Sequence, residues 1–356
     1  MKLPKLSSLG FTPTFLIIGV AALVVLAGSF FIYQSSRNRQ VVIPQEIKQP
    51  KKIGILQHIK TLDKVIDGFK IKMTELGYVE GKDIVYDYQT TGGDPSKAAG
   101  IAKEFVNKKV DMILAITSPA LGPAIKETSA SAKPIPIVFT NAINPVEAKF
   151  IKSYKSSGNN ATGIIPDAVA LSSKQVEFFN KISPKSKRIG MFSSHISPYA
   201  NASIDAVRKN AEKFGITVLD YEFKKLPGPA SLQEIQAIAD SIKPGDIDAI
   251  MTVSDPIATA QPKVFPILNN LGKRLKIPTL YLNTGTEGLI TYNADYIETG
   301  KSAAVMADKI FKGTNPADIP IEYNKRNYLE VNLKLAKELG ITIPDTIIAI
   351  ADRKIE

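Results

Sequence analysis

Apolar and polar positions alternate with two periods from about residue 52 onward, and each period predicts one type of element. Short apolar runs predict buried strands, which in the first half of the chain lie at Ile53–Leu56, Ile84–Tyr88, Val110–Ile116 and Ile135–Phe139. Apolar residues spaced by three or four predict helices between these strands, at Leu62–Leu76, Asp94–Asn107 and Ser118–Thr128. The first half therefore predicts a regular succession of strand and helix.

The same order returns in the second half of the chain. Strands are predicted at Arg188–Phe192, Ile216–Phe223, Ile247–Val253 and Ile277–Leu282. Helices are predicted at Pro198–Phe214 and Ser231–Ile242, and a further helix opens at Asp255-Pro256. Strands that alternate with helices of about 10–15 residues form parallel sheets with right-handed crossovers. The sequence therefore predicts an α/β fold with two doubly wound parallel-sheet lobes.

The expected domain organisation follows from these two blocks and from what precedes them. Residues 35–51 are polar and lack an apolar period, which is typical of a linker. We expect a signal or anchor segment at 1–34, a first lobe at 52–165 plus 285–318, and a second lobe at 166–284 plus 319–356. Doubly wound sheets bind ligands beyond the carboxyl ends of their strands, so we expect a ligand cleft between the lobes.

An uncharged apolar run extends from about Thr14 to Tyr33. About 20 such residues span a hydrocarbon core of ~30 Å, so we expect a single transmembrane helix. Val25-Leu26-Ala27 would satisfy the small-residue rule for cleavage as a signal peptide, whereas the apolar residues Phe30–Tyr33 that follow favour an uncleaved anchor. Basic residues after the run favour a cytoplasmic body, but a short basic segment before one helix is the usual export arrangement. We therefore expect a single-pass protein of the cell membrane with an extracellular or periplasmic binding domain.

Composition excludes several kinds of chemistry. The 356-residue chain has no cysteine, so it has no disulfide framework and no thiolate site. Its two histidines, His58 and His195, fall at equivalent strand ends, but without carboxylate partners they make an incomplete metal site. The net charge of +11 comes mostly from scattered lysines, which suit anionic lipid or polymer better than nucleic acid. Dinucleotide-binding and nucleophile-elbow motifs are absent, so we expect neither an enzyme nor a cofactor.

Several segments of the chain occur in an order that is typical of one protein family. They are Ile53–Gln57, Gly68-Phe69, Glu75–Lys82, Gly93–Pro95, Ile135–Thr140, Asn160–Gly163, Lys187–Gly190, Pro316–Pro320 and Asn332–Lys337. With this set, the region from Lys52 to Ile355 resembles the extracellular substrate-binding proteins of ABC importers in the tryptophan/tyrosine-binding group, which have the type I periplasmic-binding-protein fold.

The resemblance implies a receptor whose two lobes close on a small molecule, often an aromatic amino acid. It also implies delivery of that molecule to an ABC permease with its ATPase, and no catalysis. The chain departs from the family where Ser29 replaces the lipoprotein cysteine and where the loop from Gln57 to Thr61 is shorter. Asp255-Pro256 also stands where relatives often have Asp-Asn. These departures leave the identity of the ligand open.

The candidate ligand contacts of the first block follow its first, third and fourth strands. They are Gln57, His58, Thr117, Ser118, Thr140 and Asn141. Thr117 and Ser118 open a helix whose free N–H groups suit a carboxylate, although Ser118 can instead serve as a plain cap. Asn141 offers both a donor and an acceptor, or it stabilises a turn.

The candidate contacts of the second block also follow strands, and they are Ser193, Ser194, Ser254, Asp255 and Asn283. Asp255 suits a ligand ammonium because a carboxylate at a cleft forms charge-assisted hydrogen bonds. An N-cap before Pro256 is the alternative role for that carboxylate. Tyr292 and Tyr296 lie where the chain returns to the first block. We expect Tyr296 to offer a ring for stacking, with core packing as the alternative.

Two other classes of function stay open on the sequence. The same fold also serves as a ligand-sensing module for a membrane signalling partner. That partner would be a separate protein, because no output domain is recognisable in the sequence. An enzyme on a doubly wound fold is the third class, and the lack of a nucleophile–base set argues against it. Since a fold does not determine a function, the resemblance makes a membrane-anchored solute-binding protein of an ABC importer our leading prediction.

Overall fold

The computed structural model describes residues 28–29, 34, 49–130, 133–194, 200–225, 228–253, 255, 263–282 and 285–356. The chain divides after Gln49, and residues 50–356 form one compact unit. Within the described part of the chain, no helix is both long enough and apolar enough to cross a membrane. The apolar run at Thr14–Tyr33 falls almost wholly outside the described residues, so the expected anchor helix stays a prediction.

Strands and helices alternate through the first part of the body. In chain order they are β1 Lys51–Gln57, α1 Asp63–Glu75, β2 Ile84–Thr90, α2 Ala98–Asn107, β3 Met112–Ile116, α3 Ser118–Ser129, β4 Ile137–Thr140 and β5 Ala161–Ile165. All residues of β3 and β4 are buried, as expected for parallel strands that are covered on both faces. The predicted elements of the first block are therefore present, and β5 extends them.

The second part of the body repeats the alternation. Its elements are α4 Ala168–Ile182, β6 Arg188–Ser193, α5 Asn201–Glu212, β7 Thr217–Glu222, α6 Pro229–Ser241, β8 Ala249–Thr252, α7 Val264–Leu275, β9 Thr279–Tyr281 and β10 Ile290–Ala294. The chain then forms α8 Tyr296–Phe311, β11 Glu322–Tyr323, β12 Asn327–Asn332, α9 Leu333–Leu339, α10 Asp345–Ile348 and β13 Arg353–Ile355.

These strands form two sheets, and each sheet is the centre of one lobe. The sheet of lobe 1 has the order β11–β5–β4–β3–β1–β2, and that of lobe 2 has the order β13–β12–β10–β9–β8–β6–β7. Separate apolar clusters cover the two faces of each sheet. The predicted two-lobe α/β fold with parallel sheets is thus confirmed, except that β10 and β12 pair antiparallel.

Two segments lie in a different lobe from the one expected from the predicted boundaries at residues 285 and 319. Strand β10 pairs with β9, which places residues 290–294 in lobe 2. The short strand β11 pairs with β5, which places residues 322–323 in lobe 1. Helix α8 packs against α1, so the crossing into lobe 1 falls at Asp295 and the last return follows β11. Because β12 enters lobe 2 from the crossing point, it runs against β10, with Asn327 opposite Ala294.

Three connections therefore join the lobes, and backbone hydrogen bonds tie them together. The Asn324 N–H donates to the Ile165 carbonyl oxygen at 2.9 Å, and the Asp295 N–H donates to the Arg326 carbonyl oxygen at 2.9 Å. The Arg326 guanidinium pairs with the Asp295 carboxylate at 2.6 Å and also with that of Asp352. The three connections form one hydrogen-bonded hinge.

Candidate functional site

The carboxyl ends of the strands in lobe 1 lie level with one another. Register places Gln57 beside Ile116, Ile116 beside Thr140, and Thr140 beside Ile164. Neighbouring strands are about 4.8 Å apart. The side chains that follow these positions are therefore brought to one edge of the sheet, as the sequence predicted for the ends of parallel strands.

Gln57 and His58 lie at this edge and already have protein partners. The Gln57 amide donates to Asp63 Oδ1 at 2.9 Å and accepts from the Tyr88 hydroxyl. His58 Nδ1 lies 2.7 Å from Thr91 Oγ1. Burial lowers the pKa of His58, and the nearby Asp94 carboxylate opposes this only in part. Both side chains are built into the wall of the site, with His58 neutral at pH 7.

Thr117 has the most strained backbone at this edge. Its φ of 83° and ψ of 163° fall in a region that is essentially restricted to glycine. Its N–H donates to the Thr140 carbonyl oxygen at 2.8 Å, which holds the turn from β3 into α3. Non-glycine residues in such conformations cost about 1–3 kcal/mol and concentrate at functional sites. The strain supports a role for the β3–α3 turn in binding.

The adjoining side chains present polar atoms without protein partners. Among the described residues, Thr117 Oγ1, Thr140 Oγ1 and Asn141 Oδ1 are buried and have no hydrogen-bond partner. Asn141 adopts a left-handed φ of 55°. Ser118 Oγ instead accepts from the Ile143 N–H at 3.0 Å, and no side chain caps α3. Ser118 therefore fixes the neighbouring loop rather than its own helix.

The corresponding edge of lobe 2 is built around Asp255. This residue is fully buried, and its Oδ2 accepts from the Ser194 N–H at 2.6 Å. The hydroxyls of Ser193 and Thr252, at the ends of β6 and β8, are buried without a partner in the described part of the chain. The predicted contacts Ser254 and Asn283, and also His195, lie outside the described residues.

The two tyrosines near the crossing lie in packed surroundings. Tyr296 is 7% exposed and belongs to the apolar cluster of lobe 1. Its hydroxyl accepts from Asn293 Nδ2 at 2.6 Å, and burial raises its pKa. Tyr292 contacts Phe178 edge-on, with ring centroids 5.3 Å apart. This placement favours core packing over ligand stacking for both rings.

Most of the buried polar side chains that lack a partner in the described part of the chain lie at strand ends. These are Thr117, Thr140, Asn141, Ser193 and Thr252, whereas Ser172, Gln175 and Ser203 lie on α4 and α5. Leaving such an atom unsatisfied costs about 1–3 kcal/mol. A concentration of them where two sheets end is the expected signature of a ligand site.

Sequence reasoning missed Thr252 and the three helical residues. Thr252 ends the apolar run of β8, two residues before the position that the sequence singled out. Ser172 and Gln175 occupy the buried face of α4 beside Leu171 and Phe179. Polar residues on an apolar helical face were the available signal.

A separate pocket of about 670 Å³ lies on the flank of lobe 2. It is bounded by α7, α9 and the β12–β13 edge, and Thr61 reaches it from lobe 1. None of the predicted contacts that fall within the described residues lines it. In the described residues, no group of three or more acidic, histidine or cysteine side chains is placed to hold a metal ion.

Comparison with known proteins identifies relatives over most of the chain. The model of the family described as ABC transporter substrate binding protein matches residues 52–355. The tyrosine-binding protein of Clostridioides difficile (strain R20291) is 27% identical over 331 residues, which cover 91% of this chain and 90% of that relative.

Two solved structures have the same fold at 26% identity, and each match covers 86% of this chain and 100% of the other. One is a conserved domain protein from Vibrio cholerae, with a TM-score of 0.74. The other is the ABC domain in complex with L-Trp from Streptococcus pneumonia, with a TM-score of 0.73.

Proposed function

This chain belongs to the family of ABC transporter substrate-binding proteins, and we propose that it captures an aromatic amino acid between its two lobes. The observation that carries the proposal is the set of buried polar atoms that lie at strand ends in both lobes and have no partner among the described residues. The tyrosine-binding relative and the L-Trp complex support an aromatic amino acid as the ligand class.

Each lobe has a group that complements one of the two charged groups of an amino acid. The Asp255 carboxylate in lobe 2 suits the ammonium group, because charge-assisted hydrogen bonds are the strong ones. The β3–α3 turn in lobe 1 suits the carboxylate, since the first N–H groups of a helix and its dipole attract an anion. Thr117, Thr140 and Asn141 add polar contacts there.

Closure of the lobes follows from this division of contacts. A ligand shifts an open–closed equilibrium only by binding one state better than the other. An amino acid whose two charged groups are held by different lobes is bound fully only in the closed form. The hinge at Asp295, Asn324 and Arg326 provides the rotation point.

Membership of the family supports a proposal for delivery and location. The bound solute would pass to an ABC permease with its ATPase, on the extracellular or periplasmic side of the membrane. The uncharged run at Thr14–Tyr33 supports attachment to that membrane by a single helix. Ser29 in place of a lipoprotein cysteine makes the helix the available means of attachment.

The first experiment is a thermal-shift screen of the full chain in detergent against amino acids, peptides, nucleosides and sugars. A ligand at 100 times its dissociation constant stabilises the protein by about 2.7 kcal/mol. A hit confined to aromatic amino acids is the expected result. Stabilisation by sugars or nucleosides alone would refute the proposed ligand class.

Asp255→Asn tests the assignment of the ammonium group. The amide keeps an acceptor for the Ser194 N–H but removes the charge, so a loss of about 2 kcal/mol, or ~30-fold in Kd, is expected. Asp246→Asn is the matched control, because its carboxylate is exposed and accepts the Lys243 N–H at 2.7 Å. Calorimetric titration should leave the control within about 2-fold of wild type. Equal affinities for both variants would contradict the assignment.

A further inference from the structure

Each lobe has an end that lies away from the hinge, which we call its pole. Strands β5 and β10 run into the hinge, so the strands parallel to them begin at the pole. In lobe 2 the first residues of β6, β7, β8 and β9 lie nearly level. The carbonyl oxygens of Lys187 and Arg188 accept from the N–H groups of Thr217 and Asp248 at 2.7 and 2.8 Å. Since neighbouring strands are about 4.8 Å apart, the four helix-to-strand loops form one continuous surface.

Basic residues are concentrated at the pole of lobe 2. Helices α4, α5, α6 and α7 end there, and each is followed by a strand. From the last turn of each helix to the first residue of the next strand, the stretches are 179–188, 209–217, 238–249 and 272–279. They contain ten basic and four acidic residues. The excess of six positive charges is more than half of the net charge of +11.

The pole of lobe 1 has the same topology and no such excess. Helices α1, α2, α3 and α8 end there, and the corresponding stretches are 72–84, 104–112, 126–137 and 308–322. They contain eight basic and nine acidic residues. Cations are favoured at the carboxyl ends of helices by the helix dipole, but four helices end at each pole. The helix dipole therefore does not explain the difference between the lobes.

Some of the cations at the pole of lobe 2 serve the fold. Arg274 donates to the carbonyl oxygens of Ala239 and Ile242 at 2.6 and 3.0 Å, which caps α6. Arg188 pairs with Asp248 at 2.8 Å. Six exposed lysines instead have no ion pair among the described residues, and they are Lys181, Lys185, Lys209, Lys213, Lys243 and Lys276. These six lysines give the pole its unneutralised positive charge.

The chemistry of this surface suits a hydrated polyanion. Lysine ammonium groups bind phosphate oxygens as compact point charges. Charges closer than the Debye length of about 8 Å at physiological ionic strength reinforce one another. The four stretches contain no tyrosine or tryptophan on which a nucleobase could stack, and Phe179 and Phe214 pack into the apolar cluster of the lobe. The surface therefore fits a chain of phosphate groups better than a nucleic acid.

The position of the pole favours a polymer over a lipid surface. The linker joins the body at Lys51, where β1 begins, and this point is at the pole of lobe 1. The basic pole is thus at the opposite end of the body from the point of attachment. We propose that the pole of lobe 2 binds an anionic phosphodiester polymer outside the membrane. The choice of a polymer rests on the proposed membrane attachment. Binding at the pole leaves the strand ends and the cleft accessible.

The test measures binding of the full chain to poly(glycerol phosphate) on a sensor surface. The chain is reconstituted in nanodiscs of phosphatidylcholine, whose zwitterionic headgroups do not compete for the pole. The test variant carries four substitutions, Lys181→Gln, Lys185→Gln, Lys213→Gln and Lys276→Gln. The matched control carries the same change at the pole of lobe 1, as Lys82→Gln, Lys109→Gln, Lys126→Gln and Lys309→Gln. All eight lysines are exposed and lack an ion pair among the described residues, so both variants lose the same charge.

The wild-type chain should bind the polymer with an affinity that falls as salt is added. The test variant should bind at least about 30-fold more weakly, since each lysine near an anionic surface contributes roughly 5-fold. The slope of log affinity against log salt should become shallower by up to about 3. The control variant should stay within about 3-fold of wild type.

Three results would overturn the basic pole as a polymer-binding surface. They are a wild-type chain that does not bind the polymer, losses of equal size in the two variants, and binding to phosphatidylglycerol vesicles without binding to the polymer. The last result would assign the surface to lipid. Both variants should keep the wild-type affinity for the amino acid of the proposed function. A wild-type chain that binds the polymer but no amino acid would refute that function alone.

Discussion

The contact between α1 and α8 depends on two glycines, and it allows a sharp test of how lobe 1 is held together. A Cβ atom added at Gly300 would lie 2.0 Å from the Val65 carbonyl oxygen and 2.6 Å from the Phe69 nitrogen. A Cβ atom at Gly68 would lie 2.1 Å from the Ile297 carbonyl oxygen. Because these obstacles are backbone atoms, no side-chain rotation relieves them. Gly300→Ala must therefore move the two helices apart.

The size of the effect follows from that overlap. Real Cβ atoms do not approach other atoms closer than 3.0 Å, so the helices must separate by about 1 Å. Overpacking of this kind costs up to about 3 kcal/mol, and alanine regains about 1 kcal/mol over glycine inside a helix. The expected net loss is about 2 kcal/mol in the free energy of unfolding. At ~2–4 °C per kcal/mol, the melting temperature should fall by roughly 4–8 °C.

Gly100→Ala is the matched control for this prediction. Gly100 lies in α2 with nothing within 4 Å of its added Cβ atom. The same substitution should there raise the melting temperature by up to ~4 °C, since only the helix propensity changes. Differential scanning calorimetry of the two variants should thus give shifts of opposite sign. A Gly300→Ala protein that melts at or above the wild-type temperature would refute the close-packing argument.

Two further predictions concern pH and the hinge. Burial holds the pKa of His58 below that of the unfolded chain, so the unfolded state takes up the proton first and stability falls as pH drops below about 6.5. His58→Gln should remove this part of the slope, at most ~1.4 kcal/mol per pH unit, in urea titrations from pH 8 to 5; identical slopes would count against it. Arg326→Gln leaves the nearly buried Asp295 carboxylate without its cation and should cost about 1–2 kcal/mol. Lys325→Gln, whose ion pair with Glu322 is exposed, should cost less than about 0.5 kcal/mol, and equal losses would contradict the hinge assignment.

Apolar periodicity predicted most of the fold because the strands are buried on both faces and read as continuous runs. It did not predict α4, β10 or the elements from α8 to the end of the chain. It also did not predict β5, where Thr162 and Gly163 interrupt the apolar pattern. The structure explains Gly163, because a Cβ atom there would lie 2.2 Å from the Phe139 carbonyl oxygen. Close approach between neighbouring strands is a three-dimensional requirement, and a single sequence carries no sign of it.

The candidate site was predictable only where it depends on topology. The rule for strand ends led to Thr117, Thr140, Asn141 and Ser193, because parallel strands end at one edge. The rule does not cover residues on helices, so Gln175 was missed although its polar amide interrupts an apolar face. Whether Tyr292 and Tyr296, which lie where the chain passes between the lobes, pack in the core or face a ligand also depends on neighbours that are distant in sequence.

The chain crosses between the two lobes three times, and this has a consequence for its synthesis on the ribosome. Lobe 1 obtains α8 and β11 only from residues 296–323, long after its first five strands have been made. A ribosome that has released residues 52–165 has therefore released a sheet whose α1 side lacks its covering helix. Lobe 2 is translated in the interval, so the first lobe is completed after most of the second. A chain that terminates before Tyr296 would lack α8, so the apolar surface on the α1 side of lobe 1 would stay exposed. Such fragments are expected targets for chaperones and proteases.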